Sequence, residues 1–122
     1  MKKTFLIIIL GVAVIAGLYL FKNDSQNSAS PDSQTGVTYT NSGYSPEVIR
    51  VKAGAAVKFV NQSQNPMWTA SDPHPTHTMM HGFDSMHSMM TGESYSYTFT
   101  VPGTWRYHNH MVPSHAGSVI VE

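Results

Sequence analysis

Apolar and polar positions fall into three regimes along the chain. From Phe5 to Phe21 the sequence is apolar throughout, FLIIILGVAVIAGLYLF. As a helix, this run reaches about 26 Å, close to the hydrocarbon thickness of a thin bilayer. Lys2 and Lys3 precede it and Lys22 follows it, a bias that places the N-terminus on the cytoplasmic side. The run exceeds the usual apolar core of a signal peptide, and the nearest small-residue site, Ser28-Ala29-Ser30, is followed by Pro31. Residues 1–22 are therefore predicted to form a transmembrane signal anchor, ahead of a cleaved signal peptide. Either way the rest of the chain is expected to be exported, anchored facing the periplasm or cell exterior, or secreted. Residues 23–36 are polar and Ser-rich, without an aromatic residue, and read as a flexible linker.

From residue 37 onward the period changes to two. In Ser94–Val101, Tyr95, Tyr97, Phe99 and Val101 alternate with Ser94, Ser96, Thr98 and Thr100, the mark of a half-buried antiparallel strand. Val37–Thr40, Val48–Val51, Ala56–Asn61, Thr104–His110 and Gly117–Val121 are predicted as further strands. Lys52-Ala53-Gly54 and Pro102-Gly103 supply turns. No amphipathic helical pattern competes, so residues 37–122 are predicted to form one all-β domain, a β-sandwich.

Composition narrows the function. Seven Lys and Arg balance seven Asp and Glu, and charged residues make up 11% of the chain; this excludes a nucleic-acid binder working by phosphate neutralisation. There is no cysteine, which excludes disulfides, zinc-thiolate and iron–sulfur sites, a cysteine nucleophile and a thiolate-ligated blue copper centre. All seven His and seven of the eight Met lie between Met67 and His115, and these are metal-ligating side chains. His108 and His110 are two apart on a predicted strand, so both face away from Asn109. His74 and His77 sit in a loop stiffened by Pro73 and Pro75. The segment Met79–Met90 carries Met79, Met80, His81, Met86, His87, Met89 and Met90. Thioethers select Cu(I), while imidazole serves copper in both states and Zn(II). Other roles stay open at each position: core packing for Met67, Trp68 and Trp105, with shielding of a metal from solvent as the alternative for Trp68, and turn formation for Asp72, Asp84 and Glu93.

The stretch PEVIRVKAGAAVKFVN, then TGESYSYTFTVPGTWRYHNH and HAGSVIVE, resembles a cupredoxin across residues 44–122. The resemblance implies a cupredoxin-like Greek-key β-sandwich. Gly103–His110 is also similar to the metal-binding strand of multicopper oxidases, and the His74/His77 and His108/His110 pairing resembles that of small exported bacterial cupredoxin-like proteins. The departures matter as much. Asn109 stands where the family has its thiolate, Met67 where it has its first His, and His115 where it has its axial Met. The resemblance therefore implies the fold but a non-blue, type 2-like copper site. The expected ligands are His74, His77, His108 and His110, with His115 as a fifth. Met67 and the Met79–Met90 donors are the expected accessory Cu(I) ligands, and zinc is the alternative metal. No general base is positioned by the pattern. The expectation is therefore a copper homeostasis, storage or delivery protein, not an enzyme, working with the membrane and a copper donor or acceptor protein. A copper redox enzyme, an electron carrier and a metal-free interaction module remain the alternatives, and oligomers pooling their His-x-His strands are compatible with the pattern.

Overall fold

The computed structural model describes residues 35–122. The predicted anchor and residues 23–34 of the predicted linker lie outside the described residues. Eight strands make up the fold: β1 (Thr35–Thr40), β2 (Gly43–Ser45), β3 (Val48–Val51), β4 (Ala55–Asn61), β5 (Thr69–Ser71), β6 (Ser94–Phe99), β7 (Gly103–Asn109) and β8 (Val112–Val121). They form two four-stranded sheets, ordered β2-β1-β4-β6 and β3-β8-β7-β5. Among the described residues there is no α-helix. The first strand starts at Thr35, two residues before the expected Val37, because Thr35 and Gly36 pair with Val57 and Lys58.

Alternating positions from both sheets meet in the core. Val37 and Tyr39 on β1, Val57 and Phe59 on β4, Phe99 on β6, Tyr107 on β7 and Val119 on β8 are all fully buried. Aromatic rings dominate: Phe59 lies 5.1 Å from Tyr107 and 5.7 Å from Phe83 between centroids, and Tyr44 lies 4.9 Å from Tyr107. Such pairs contribute about 0.5–1.5 kcal/mol each beyond area burial. The expected alternation in β6 ends at Phe99, and Val101 is exposed because the chain has already left the sheet for the Pro102-Gly103 turn.

Two features of β7 and its neighbours place the site. Thr69, Ala70 and Ser71 of β5 pair with Asn109, His108 and Tyr107. Tyr107 and Asn109 face the core, so His108 and Ala70 face outward. The loop after β5 then folds back along the strand: Ser71 N–H donates to Phe83 O and Ser85 N–H to Thr69 O. Phe83 enters the core, 5.0 Å from Phe99, and Asp84 beside it bridges to Ala70 on the outer face. This loop is why His108, on the outer face, is only 2% exposed.

Candidate metal centre

The four histidines reach the site from two places, the end of β7 and the loop after β5. His108 is carried by β7. His110 follows directly, and its N–H donates to Trp68 O at 2.7 Å, which extends the pairing past the strand end. His74 and His77 come from the loop after β5. His77 adopts a left-handed backbone, φ 54°, which few non-glycine residues take up; its N–H donates to Pro73 O at 2.8 Å, and the turn aims its ring back at β7. One donor nitrogen from each of His74, His77, His108 and His110 lies within 4.8 Å of all the others. His74 Nδ1 is 3.3 Å from His108 Nε2, and His110 Nδ1 is 3.1 Å from His77 Nε2. A four-coordinate ion with bonds of about 2.0–2.1 Å needs neighbouring nitrogens roughly 2.9–3.4 Å apart. These two donor pairs meet that spacing, the four donors converge on one place, and their chemistry suits copper or zinc.

Two carboxylates stand behind the ring cluster. Asp72 Oδ1 is 2.7 Å from His108 Nδ1, and Asp84 Oδ2 is 2.7 Å from His77 Nδ1. The opposite oxygen of Asp84 accepts from Trp68 Nε1 at 2.7 Å and from Met86 N–H at 2.8 Å. Burial alone would raise Asp84, but the N–H of Met86, the Trp68 indole and His77 together hold it below the ordinary carboxylate value. Burial lowers His108, repulsion from His77 and His74 adds to it, and Asp72 opposes. Burial also lowers His110, reinforced by His77, His74 and His108 and opposed by Asp84. Both shifts favour neutral imidazoles with a lone pair free for metal.

The predicted ligands divide accordingly. His74, His77, His108 and His110 come together. His115 does not join them: its Nδ1 is 2.8 Å from Tyr39 Oη, on the side of β1 and β2. Residues Pro113–His115 have no counterpart on β7 in the β7–β8 pairing, and this extra length carries His115 away. Met67 is fully buried and Met80 is 8% exposed, so both thioethers pack in the core. Met79, Met86 and Met90 are exposed, as are His81 and His87, while Met89 is half-buried. The sequence reading treated Asp72 and Asp84 as turn residues and missed their contacts with ligand rings. Trp68 is half-buried, with its ring 4.5 Å from that of His110, the place expected of it as a shield over a metal and not as a core residue. Trp105 is half-buried too, its indole donating to Val101 O.

A family model described as a cupredoxin-like domain matches residues 10–121. The chain belongs to this cupredoxin-like family. Among solved structures, the novel purple cupredoxin from Nitrosopumilus maritimus is 21% identical with a TM-score of 0.64, covering 73% of this chain and 100% of its own; that likeness concerns the fold. A reduced tryptophan-to-tyrosine mutant of amicyanin is 27% identical, with a TM-score of 0.62 over 75% of this chain and 84% of its own. The Cu(I) form of a methionine-to-alanine amicyanin mutant matches with the same figures. In this cupredoxin Asn109, the residue at which the resemblance leads one to expect a thiolate, is fully buried on the core side of β7. Its amide accepts from Trp68 N–H at 2.9 Å and Met111 N–H at 3.1 Å and donates to Pro66 O at 3.0 Å. Asn109 thus acts as a staple between loops. The four-histidine cluster lies on the opposite face of the same strand.

Proposed function

We propose that this cupredoxin binds copper through His74, His77, His108 and His110, and that it serves copper homeostasis, storage or delivery outside the cytoplasm. The observation that carries the reading is the convergence of four imidazole nitrogens within 4.8 Å on a cupredoxin scaffold. Bound there, copper supplies a redox-active Lewis acid with an all-nitrogen donor set. The chain's own residues do the rest. The neutral rings offer lone pairs, the two carboxylates orient two of them, and Trp68 covers His110. Without a thiolate the centre is type 2-like and pale. The exposed donors Met79, His81, Met86, His87 and Met90 are read as a capture surface for Cu(I), handing it to the histidine site or to a partner that gives or takes copper. Met67 and Met80, being buried, are the weakest members of that accessory set. The apolar run Phe5–Phe21 supports a membrane tether.

The test is titration of the full chain, purified without a polyhistidine tag, with one equivalent of Cu(II). A single nitrogen-rich type 2 EPR signal, lost in a His108→Ala/His110→Ala double variant, supports the reading. An unchanged signal in that variant removes the ligand assignment. Zinc is the second reading, because four imidazoles without a thiolate suit it equally; metal analysis of protein isolated without chelator separates the two.

A further inference from the structure

We infer that Asp72 and Asp84 are positioning residues that fix the tautomers of His108 and His77, so that each ring turns the lone pair of Nε2 toward the bound ion. The inference rests on the copper-binding reading above and specifies how two of its four ligands are made ready. An ionised carboxylate can only accept a hydrogen bond, so the ring nitrogen facing it carries the proton. Nδ1 of His108 faces Asp72 and Nδ1 of His77 faces Asp84, each at 2.7 Å. In a neutral imidazole the other nitrogen then keeps its lone pair. In both rings that other nitrogen is Nε2, the atom nearest another ligand ring. Among the described residues, His74 and His110 have no carboxylate in hydrogen-bond contact; both offer Nδ1 to the cluster. The site thus combines two fixed Nε2 donors with two adjustable Nδ1 donors.

The carboxylates are themselves held, and unequally. Asp84 Oδ1 accepts two protein N–H groups, from Trp68 and Met86. Asp84 N–H donates to Tyr95 Oη at 3.1 Å. Asp72 Oδ2 meets only the exposed Arg106, whose Nε lies 3.3 Å away. This asymmetry makes the inference specific. In an Asp84→Asn variant the amide oxygen must stay with Trp68 and Met86, so the amide NH2 faces His77. Two donors cannot face each other, so His77 must move its proton to Nε2 and lose its metal-facing lone pair. In Asp72→Asn the oxygen can remain on His108 at the cost of the exposed Arg106 contact, so His108 keeps its tautomer.

The experiment uses the full chain in detergent micelles with nitrogen-15-labelled histidine. Long-range proton–nitrogen spectra of the metal-free protein report each tautomer, and chelator competition gives Zn(II) and Cu(II) affinities. The wild type is expected to show His77 and His108 protonated at Nδ1. Asp84→Asn is expected to move His77 to the Nε2–H form and to weaken both metals by about 10–100-fold, with a smaller loss for Asp72→Asn. A wild-type spectrum with either ring protonated at Nε2 overturns the inference, and it does so even if Asp84→Asn fails to fold. So does an Asp84→Asn variant that binds metal within about twofold of wild type. Should the wild type bind neither metal, the copper reading fails by itself, and the tautomer spectra still decide the role of the two carboxylates.

Discussion

Gly117 on β8 offers a sharp test of how the core supports the metal centre. It sits directly opposite Tyr107, whose ring crosses the space a side chain would need. A Cβ on Gly117 would overlap the Tyr107 hydroxyl, lie 2.5 Å from Tyr107 Cζ, and lie 2.8 Å from the backbone oxygen of Glu47. Neither neighbour yields easily. Tyr107 is fully buried and packed against Tyr44, Phe59 and Phe83, while the Glu47 carbonyl accepts from Ser118 N–H at 2.8 Å. Overpacking costs about 1–3 kcal/mol, and a rigid ring plus a bonded carbonyl puts Gly117→Ala near the upper end, about 3 kcal/mol. That is a large part of a small domain's stability, which is roughly 5–15 kcal/mol. Because Tyr107 precedes His108, displacement of the ring also disturbs one of the four proposed ligands. Urea denaturation of the metal-free variant measures the loss, and chelator competition measures the ligand effect. Adding Tyr107→Phe should restore under half of the stability, since Cζ and the Glu47 carbonyl remain in the way. A loss below about 1 kcal/mol for Gly117→Ala alone would refute the reasoning.

Three further outcomes follow from the same geometry. The metal-free fold should lose stability as pH falls below the ordinary imidazole value near 6.5, because His108 and His110 are lowered in the folded state and the unfolded chain takes up more protons there; a second loss should follow as pH falls below the ordinary carboxylate value of 3.8, where the unfolded chain takes up a proton that folded Asp84 still resists. Urea midpoints that stay level between pH 7.5 and pH 5, about one unit above and about 1.5 units below 6.5, would contradict the first step. Phe83→Ala should cost about 3–5 kcal/mol and weaken metal binding as well, since Phe83 pins the loop bearing His74 and His77; calorimetry and metal titration on one sample test both, and retained affinity in a destabilised variant would separate loop anchoring from ligand placement. Replacing Met79, Met86 and Met90 together with Leu should lower Cu(I) binding and leave the Cu(II) signal intact, as measured by competition with a Cu(I) chelator; unchanged Cu(I) affinity would remove the capture role.

The fold and the β7 half of the histidine cluster could be read from period-two alternation, while His74 and His77 were legible from residue type and their flanking prolines. Ser94–Phe99 announces its inward and outward faces, and the same count places His108 away from Asn109. Short strands escape such reading. Gly43–Ser45 and Thr69–Ser71 have three residues each, too few for an alternation to register, and they exist because longer neighbours offer them a ladder. Asp72 and Asp84 were misread for a related reason. Asp before Pro73 and Asp near Gly82 look like turn chemistry, and their contacts span 36 and 7 residues respectively. A carboxylate partner is a common companion of a ligating histidine, so the abundance of histidines was the one signal that could have drawn attention to those acids. His115 was expected at the centre through its alignment with the axial position, but three unpaired residues before Ala116 redirect it to Tyr39.

The opposed faces of β7 carry a lesson for redesign. Because side-chain direction on a strand flips with every residue, positions 108 and 109 open into separate chambers with the backbone as their common wall. A thiolate introduced by Asn109→Cys would enter the interior against the Pro66–Trp68 backbone and would not join the imidazoles. Asn109→Cys therefore leaves the four-imidazole cluster without a sulfur donor. What the strand sets is parity: position 109 addresses the interior and position 108 the imidazole cluster, and the two communicate through Trp68, whose N–H is held by Asn109 and whose ring lies 4.5 Å from that of His110.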